Sequence, residues 1–293
     1  MKFFSGTGSR LVPPHAVPSG ALDQLMATHQ VTSAFVAENV GNFRAAPTPQ
    51  TAPVVGVTRR GLGLPGRRSQ PMELTGACWV GSNVVPVALD DDGVKLVADH
   101  LLTARSPRAS FFGPQREVLG LWESVKHRWS DPFAVREDQP FLVASEQSLS
   151  QPHPEVRLAR RSDFAKVLPA SAAMFTEEVG YAPDTSKESS YVLRVAHLVT
   201  KARTYVVMRE NKVVFKADIG AAAGQICQIQ GVWVAPEYRG QGLAASFMTS
   251  VVEDVRHRWP TVSLYVNSYN LPALKTYHRA GFRQVSSFAT VLF

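Results

Sequence analysis

The 293-residue sequence predicts an α+β fold of two similar modules, each a mixed central sheet flanked by helices. The length exceeds that of a usual single domain. Apolar runs typical of strands alternate with helical repeats, and the order strands, helix, strand occurs in both halves. A segment rich in proline and serine, residues 148–154, lies between the halves and is predicted to be a linker. We therefore expect domains at residues 1–147 and 155–293.

In the N-terminal half, residues 41–72 are rich in Pro, Gly and Arg and are predicted to form a flexible, exposed loop. Residues 76–93 are typical of two short strands joined at a Gly-Ser-Asn turn. Residues 109–114 predict a further strand that ends in Gly-Pro. Apolar residues spaced three and four apart in 118–129 predict a helix, and residues 134–145 predict another strand.

In the C-terminal half, residues 156–160 predict a strand, and Ser162 is a candidate N-cap for a helix that starts at Asp163. A hairpin is predicted to turn at Glu210-Asn211. An apolar strand then runs over residues 226–236. The next helix carries an apolar residue at every fourth position and ends before Pro260; these residues are Leu243, Phe247, Val251, Val255 and Trp259.

Between that strand and that helix lies the segment Arg239-Gly240-Gln241-Gly242, called the glycine loop below. A helix that begins in a glycine-rich turn leaves its first N–H groups unpaired, and these donors and the helix dipole favour a phosphate. Gly240 and Gly242 allow close approach to the backbone, and Arg239 adds a cation. Residues 240–245 also fit the dinucleotide pattern G-x-G-x-x-A, but that pattern alone has low specificity. No G-K-[ST] sequence follows, which excludes a P-loop.

The segment after the next strand indicates which phosphate compound the site binds. Asn270 is a candidate N-cap with Pro272 in the first helical turn, Tyr277 lies on the apolar face, and Gly281-Phe282 follows the end of the helix. The chain here resembles the GNAT acyltransferase superfamily. Arg239, Gly242 and Ala244 match its [QR]-x-x-G-x-[GA] acyl-CoA motif, and the Asn270 to Phe282 segment matches its second signature.

The resemblance implies an N-acyltransferase that moves an acetyl or other acyl group from acyl-CoA to a primary amine by direct attack in a ternary complex. Acetyl-CoA or another acyl-CoA would be the co-substrate, and the acceptor amine is not predicted. Tyr277 matches the tyrosine that protonates the leaving sulfur, although its place on an apolar face also fits a core residue. The implied acyl-CoA contacts are Val232, Trp233, Val234, Arg239, Gly240, Gln241, Gly242, Leu243, Ala244, Asn270 and Tyr277.

The sequence departs from the family pattern at the general base. Many members carry a Glu on the strand before the phosphate loop, where this chain has Gln228 and Gln230. The acidic candidates are Glu177, Glu178 and Asp218, each of which could equally be a solvated charge. A water-mediated route, or no dedicated base, stays open.

The whole chain resembles two-domain bacterial GNAT proteins in which a divergent GNAT-like half precedes the conventional one. In the first half, Gly113-Pro114-Gln115-Arg116 stands at the position expected for the phosphate loop. This segment lacks paired glycines, so we expect no acyl-CoA binding there.

Composition limits the other classes. Residues 1–15 lack the apolar core of a secretory signal and no window holds 18 continuous apolar residues, so we expect a cytoplasmic protein that does not span a membrane. Cys78 and Cys227 lie in apolar runs and are predicted to be buried free thiols. The histidines show no metal-ligand spacing, so no metal site is predicted.

Two alternatives remain. The net charge is +7, and residues 151–293 hold 17 Lys and Arg against 11 Asp and Glu, which favours an anionic partner. The sequence shows no nucleic-acid-binding motif, which disfavours DNA or RNA as that partner. The missing strand Glu favours the second alternative, a catalytically silent acyl-CoA sensor.

Overall fold

The computed structural model describes residues 8–46, 48, 50–60, 72–104 and 106–293. The chain divides into two compact units, Met1–Pro140 with Ser286–Phe293, and Phe141–Val285. The segment predicted as a linker, residues 148–154, lies within the second unit, and the last eight residues belong with the first. Among the described helices, none is long and apolar enough to cross a membrane.

The first unit contains four α-helices and six strands in its described part. Its elements are β1 Ser9–Val12, α1 Ser19–Thr28, α2 Gln30–Arg44, β2 Val54–Arg60, β3 Met72–Val80, β4 Asn83–Val87, α3 Asp91–Ala104, β5 Ser110–Pro114, α4 Gln115–Val125 and β6 Ala134–Ala144. Strands β1 to β4 pair in chain order and antiparallel, whereas β4 and β5 are parallel neighbours. Residues 288–292 pair antiparallel with β5 and extend this sheet.

Several predictions for this unit are confirmed and several are wrong. The two strands around Gly81, the strand ending at Pro114 and the helix with buried Val118, Leu121 and Val125 form as expected. The prediction of a loop over residues 41–72 is wrong in two described segments. Residues 41–44 end α2, and residues 54–60 form β2. Residues 61–71, with the arginine pair at 67–68, lie outside the described residues.

The second unit contains four α-helices in its described part, two before β8 (Thr204–Arg209) and two after β10 (Ile226–Val234). Its further elements are β7 Arg157–Leu158, α5 Phe164–Val179, α6 Ser190–Thr200, β8 Thr204–Arg209, β9 Lys212–Ala223, β10 Ile226–Val234, α7 Leu243–Arg256, β11 Thr261–Tyr265, α8 Leu271–Arg279 and β12 Phe282–Leu292. The strand order is β7, β8, β9, β10, β11 and then residues 141–143 of β6. Only β10 and β11 pair in parallel among these neighbours.

The hairpin at Glu210-Asn211 is confirmed, since both turn residues adopt the positive φ of a tight hairpin (46° and 65°). The predicted cap at Ser162 is wrong. Residues 161–163 form a 3₁₀ turn, and α5 begins at Phe164. The Asp163 carboxylate, rather than the serine hydroxyl, accepts the backbone N–H of Arg160 at 2.8 Å. The second helix, α6, was not predicted.

Each unit has its own apolar core. Cys78 lies in a core of the first unit and Cys227 in that of the second, and both thiols are free and buried as predicted. Burial raises the pKa of Cys227 to about 12, which keeps this thiol protonated and unreactive. In the second unit the core packs one face of α7 and α8 against the sheet through Phe247, Val251 and Tyr277.

Candidate functional site

The parallel strands β10 and β11 separate within the second unit. They pair over Ile226–Gln228 and Thr261–Ser263, after which β10 continues to Val234. The pairing of β10 with β9 shifts register between Gln228 and Ile229 and again between Gln230 and Trp233. Gly231 sits in the second irregularity with a φ of 58°, which favours glycine. Such bulges bend a strand, and this one turns the later part of β10 away from its parallel partner.

A buried ion pair holds this bulge. Lys216 on β9 has no exposed surface, and its Nζ donates to Asp218 Oδ2 at 2.6 Å and to the Gly231 carbonyl oxygen at 2.9 Å. Thr204 donates its hydroxyl to Asp218 Oδ1 at 2.8 Å. A Cβ on Gly231 would lie 2.8 Å from Asp218 Oδ2, so glycine is needed for packing as well as for φ. Lys216 was not predicted as a site residue, although a lysine between Phe215 and Ala217 on an apolar strand indicates a buried charge.

The glycine loop follows β10 after a 3₁₀ turn, Pro236–Tyr238. Gly240 and Gly242 have φ values of 75° and 76°, and Gly242 is the N-cap of α7 with no side-chain cap. A Cβ at either glycine would meet nothing within 4 Å, so the backbone there faces open space. The first N–H groups of α7 are therefore available to an anion, and the glycines are required by their backbone angles.

Arg239 makes a different set of contacts from the one expected of a phosphate ligand. Its Nη2 lies 2.9 Å and 2.8 Å from the two carboxylate oxygens of Glu177, and its Nε donates to the Val234 carbonyl oxygen at 2.8 Å. Trp233 Nε1 donates to Glu177 Oε1 at 3.1 Å. The arginine thus ties the glycine loop to the last turn of α5 and to the end of β10.

Tyr277 and Asn270 belong to α8. The Asn270 side chain caps the helix by accepting the Ala273 N–H at 3.2 Å, as predicted. Tyr277 is 7% exposed and packs edge-on against Phe282, with ring centroids 5.9 Å apart. Burial, and then the Glu178 carboxylate, raise the pKa of Tyr277 above its ordinary value. The phenol is therefore fully protonated near neutral pH.

The three acidic candidates lie in different surroundings. Glu177 is paired with Arg239, and Asp218 with Lys216. Burial raises the pKa of Tyr191 to about 12, and the charges of Asp218 and then Glu178 add to this shift. Glu178 also adds to the effect of burial on the pKa of Tyr277. The Tyr191 hydroxyl is shielded from solvent and has no hydrogen-bond partner among the described residues.

Gln228 and Gln230 stand where a general base is expected, and their amide side chains cannot take up a proton. Gln230 is exposed and its side chain lies over Gly220, where a Cβ would come within 2.2 Å of it. No group of three or more His, Cys, Asp or Glu in the described part of the chain is placed to hold a metal ion.

The first unit shows where its equivalent of the glycine loop lies. There the parallel strands β4 and β5 are joined by α3, as β10 and β11 are joined by α7. The equivalent loop is therefore residues 88–90, and the prediction that Gly113-Pro114-Gln115-Arg116 occupies this position is wrong. That segment joins β5 to α4 and matches the start of α8. The error arose because the sequence analysis did not recognise α3.

Sequence comparison assigns the two regions to families. Residues 172–282 match the model of the acetyltransferase (GNAT) family, and residues 66–167 match a domain of unknown function, DUF4081. The chain thus carries a GNAT acetyltransferase domain. A DUF4081 domain precedes it. This family and the fold support an N-acyltransferase role in general. No curated protein matches the sequence.

Solved structures share the fold over nearly the whole chain. An acetyltransferase of the GNAT family from Colwellia psychrerythraea is 14% identical, covers 92% of this chain and 96% of its own, and has a TM-score of 0.53. A GCN5-related N-acetyltransferase from Sphaerobacter thermophilus is 15% identical, covers 97% of this chain and 94% of its own, and has a TM-score of 0.54. A Drosophila protein is 13% identical, covers 98% of this chain and 99% of its own, and has a TM-score of 0.57. At these identities the likeness defines the fold.

Proposed function

We propose that the second unit transfers an acyl group from acyl-CoA to a primary amine by direct attack within a ternary complex. The observation that carries this proposal is the combination of separated parallel strands with an open helix start at their ends. The separation of β10 and β11 offers backbone groups to an extended arm, and the glycine loop offers N–H donors to a pyrophosphate.

The residues fit acyl-CoA in three places. The N–H groups of Gly240 to Ala244 would hold the pyrophosphate, since a Cβ at the two loop glycines meets only open space. The backbone around Val232 would hold the pantetheine arm, because β10 is no longer paired with β11 beyond Gln228. The Val234 carbonyl oxygen already accepts from Arg239. Arg239 and Trp233 then act by fixing the loop against Glu177. Asn270, as the cap of α8, fixes the helix that carries Tyr277.

Acyl-CoA supplies an activated thioester. In the proposed step the amine nitrogen forms a bond to the carbonyl carbon, the carbon–sulfur bond breaks, and the sulfur takes a proton. Tyr277 is suited to donate that proton, since its phenol is buried and protonated. The phenolate that this leaves takes a proton from the nitrogen of the new amide, which restores Tyr277.

We propose Glu178 as the group that accepts the proton of the amine, directly or through water. Glu177 and Asp218 are each neutralised by a cation at 2.8 Å and 2.6 Å. Burial, and then the charge of Glu178, raise the pKa of Tyr277, which places the Glu178 carboxylate near the phenol. A carboxylate near the acid is also suited to attract a protonated amine. The acceptor is therefore proposed to arrive as a cationic amine, which gives one proton to Glu178 and attacks as the neutral amine. The expectation of a cytoplasmic protein stays a prediction.

Turnover of acetyl-CoA against a panel of primary amines, followed by release of free CoA thiol, tests the proposal. We expect thiol release that depends on the amine and is lost in Tyr277→Phe. Binding of acetyl-CoA without release by any amine would instead support the acyl-CoA sensor, and absence of binding would overturn both functions.

The two adjacent glutamates on α5 provide a matched test of the base. We expect Glu178→Gln to lower kcat by about a hundredfold or more and to remove the acidic limb of the pH profile. Glu177→Gln should raise KM for acyl-CoA while leaving the shape of the pH profile unchanged, because it releases Arg239. The same pH profile in wild type and Glu178→Gln would exclude Glu178 as the base.

A further inference from the structure

The first unit holds a cavity of about 680 Å³ at the ends of α3 and α4. Leu101 and Leu102, from the last turn of α3, form part of its wall. Trp129 and Phe293 form another part, with ring centroids 6.1 Å apart. The cavity is open to solvent on one side, and its wall is polar and apolar in about equal parts. Its volume is large enough for a small organic molecule.

The charged groups that line the cavity are Arg108 and Arg128. In the described part of the chain, neither arginine forms an ion pair with a carboxylate. Arg128 is exposed and lies in a basic 3₁₀ turn, Lys126–Arg128, so it places positive charge at the opening. The cavity therefore places two aromatic rings beside two arginines.

The orientation of Arg108 defines the polar end more closely. Its Nη1 donates to the Gly81 carbonyl oxygen at 2.5 Å, which anchors the guanidinium to the turn between β3 and β4. Its Nε is shielded from solvent and has no hydrogen-bond partner among the described residues. A buried donor without a partner destabilises the fold. Nε and Nη2 lie together on the edge opposite Nη1, and such an edge binds a carboxylate through two parallel hydrogen bonds.

We propose that this cavity binds a small carboxylate that carries an aromatic or apolar body. The carboxylate lies on the Nε and Nη2 edge of Arg108 after a small rotation of the side chain and satisfies the buried donor. Its body packs against Trp129 and Phe293, and Arg128 adds a second positive charge. The site belongs to the first unit and does not depend on the acyl-transfer function of the second.

Calorimetric titration of the full chain with 1-naphthoate, and with neutral 1-naphthamide of the same shape, tests the proposal. We expect one naphthoate per chain with a Kd of about 1 mM or tighter, and binding of the amide about tenfold weaker. Saturating CoA should not displace naphthoate, which distinguishes this cavity from the proposed acyl-CoA site. Equal affinity for acid and amide, displacement by CoA, or no binding of naphthoate at about 10 mM would overturn the proposal.

Variants locate the site. Arg108→Lys keeps the charge and loses the two-donor edge, and we expect it to weaken naphthoate binding about tenfold. Arg128→Gln, an exposed change, should weaken binding about threefold and should not affect folding, so the proposal stays testable if Arg108→Lys is unstable. Arg44→Gln is the control, because that exposed arginine pairs with Asp23 outside the cavity. Unchanged affinity in both Arg108→Lys and Arg128→Gln would contradict the assignment.

Discussion

The loops that precede α3 and α7 occupy the same topological position, between the parallel strands of each unit, but differ in chemistry. Before α7, two glycines with positive φ leave the first N–H groups open. Before α3, the Asp90 carboxylate accepts the Gly93 N–H at 2.8 Å, and Asp91 and Asp92 add negative charge to the first turn. The helix start in the first unit is thus already capped by a carboxylate, and Asp90 and Asp91 pair with Arg59 and Arg116, so its N–H groups are less open to a phosphate than those of α7. Topology supplies the helix start, and the side chains around it decide whether a ligand can use it.

The helices α4 and α8 show a second difference of the same kind. Tyr277 is the seventh residue of α8, and the seventh residue of α4 is Leu121, a fully buried core residue. The N-cap is Asn270 in one helix and Pro114 in the other. The first unit therefore lacks both the open helix start and the phenol. The ligand site proposed for the first unit lies elsewhere, in the cavity lined by Arg108.

The largest expected effect tests the phenol that only the second unit has. Tyr277→Phe should lower kcat for acyl transfer by about 10² to 10⁴, since it removes the proposed proton donor and keeps the ring. Steady-state kinetics with acetyl-CoA measures this effect. Tyr205→Phe is the control, because its hydroxyl is bonded to Asp254 and is not part of the proposed reaction. Equal loss of kcat in both variants would indicate damage to folding rather than to catalysis.

The next effect concerns the buried charges of the second unit. Lys216→Met leaves the Asp218 carboxylate buried without its cation, and we expect a loss of about 3–5 kcal/mol in the free energy of unfolding. The double variant Lys216→Met with Asp218→Leu should recover most of this loss, because no charge stays buried. Urea unfolding measures both. A single variant as stable as wild type would show that the ion pair does not hold the β10 bulge.

The next prediction concerns the partly buried carboxyl group of Glu117 in the first unit, which should lower stability as the pH rises. Burial raises the pKa of Glu117 from 4.5 to about 7, against the smaller lowering effects of the Leu89 N–H and Arg116. A raised acid pKa means that stability is lost as pH rises from 4.5 through 7, where the buried group must ionise. Glu117→Gln keeps an acceptor for the Leu89 N–H and should stabilise the protein at pH 8 by up to about 3 kcal/mol, with little change at pH 5.

Urea unfolding at the two pH values measures this difference. Glu123→Gln provides the control on the same helix, because Glu123 is exposed and should change stability little at either pH. Equal stability of wild type and Glu117→Gln at pH 8 would show that Glu117 does not carry the penalty.

The sequence predicted the second unit better than the first because its signals are local. The cap at Asn270, the left-handed Gly281 and the apolar face of α7 each depend on neighbours a few residues away. The helix α2 was missed because its polar and small residues, with few buried positions such as Val36 and Val40, give a weak helical pattern. The β10 bulge and the pairing of Glu177 with Arg239 were missed because both depend on contacts between residues far apart in the chain.

The smallest expected effect tests the comparison of the two helix starts directly. Gly242→Val places a branched side chain at a φ of 76°, which costs about 1–2 kcal/mol and shifts the N–H donors of α7. We expect about tenfold weaker CoA binding by calorimetry. Gly224→Val is matched to it, since Gly224 also has a positive φ (55°) and open space around it, but lies in the turn between β9 and β10. That variant should lose similar stability and keep its CoA affinity. Wild type should bind one CoA per chain, because α3 carries its own aspartates. A second CoA, or a site that Gly242→Val leaves intact, would mean that the acidic loop of the first unit also binds the cofactor.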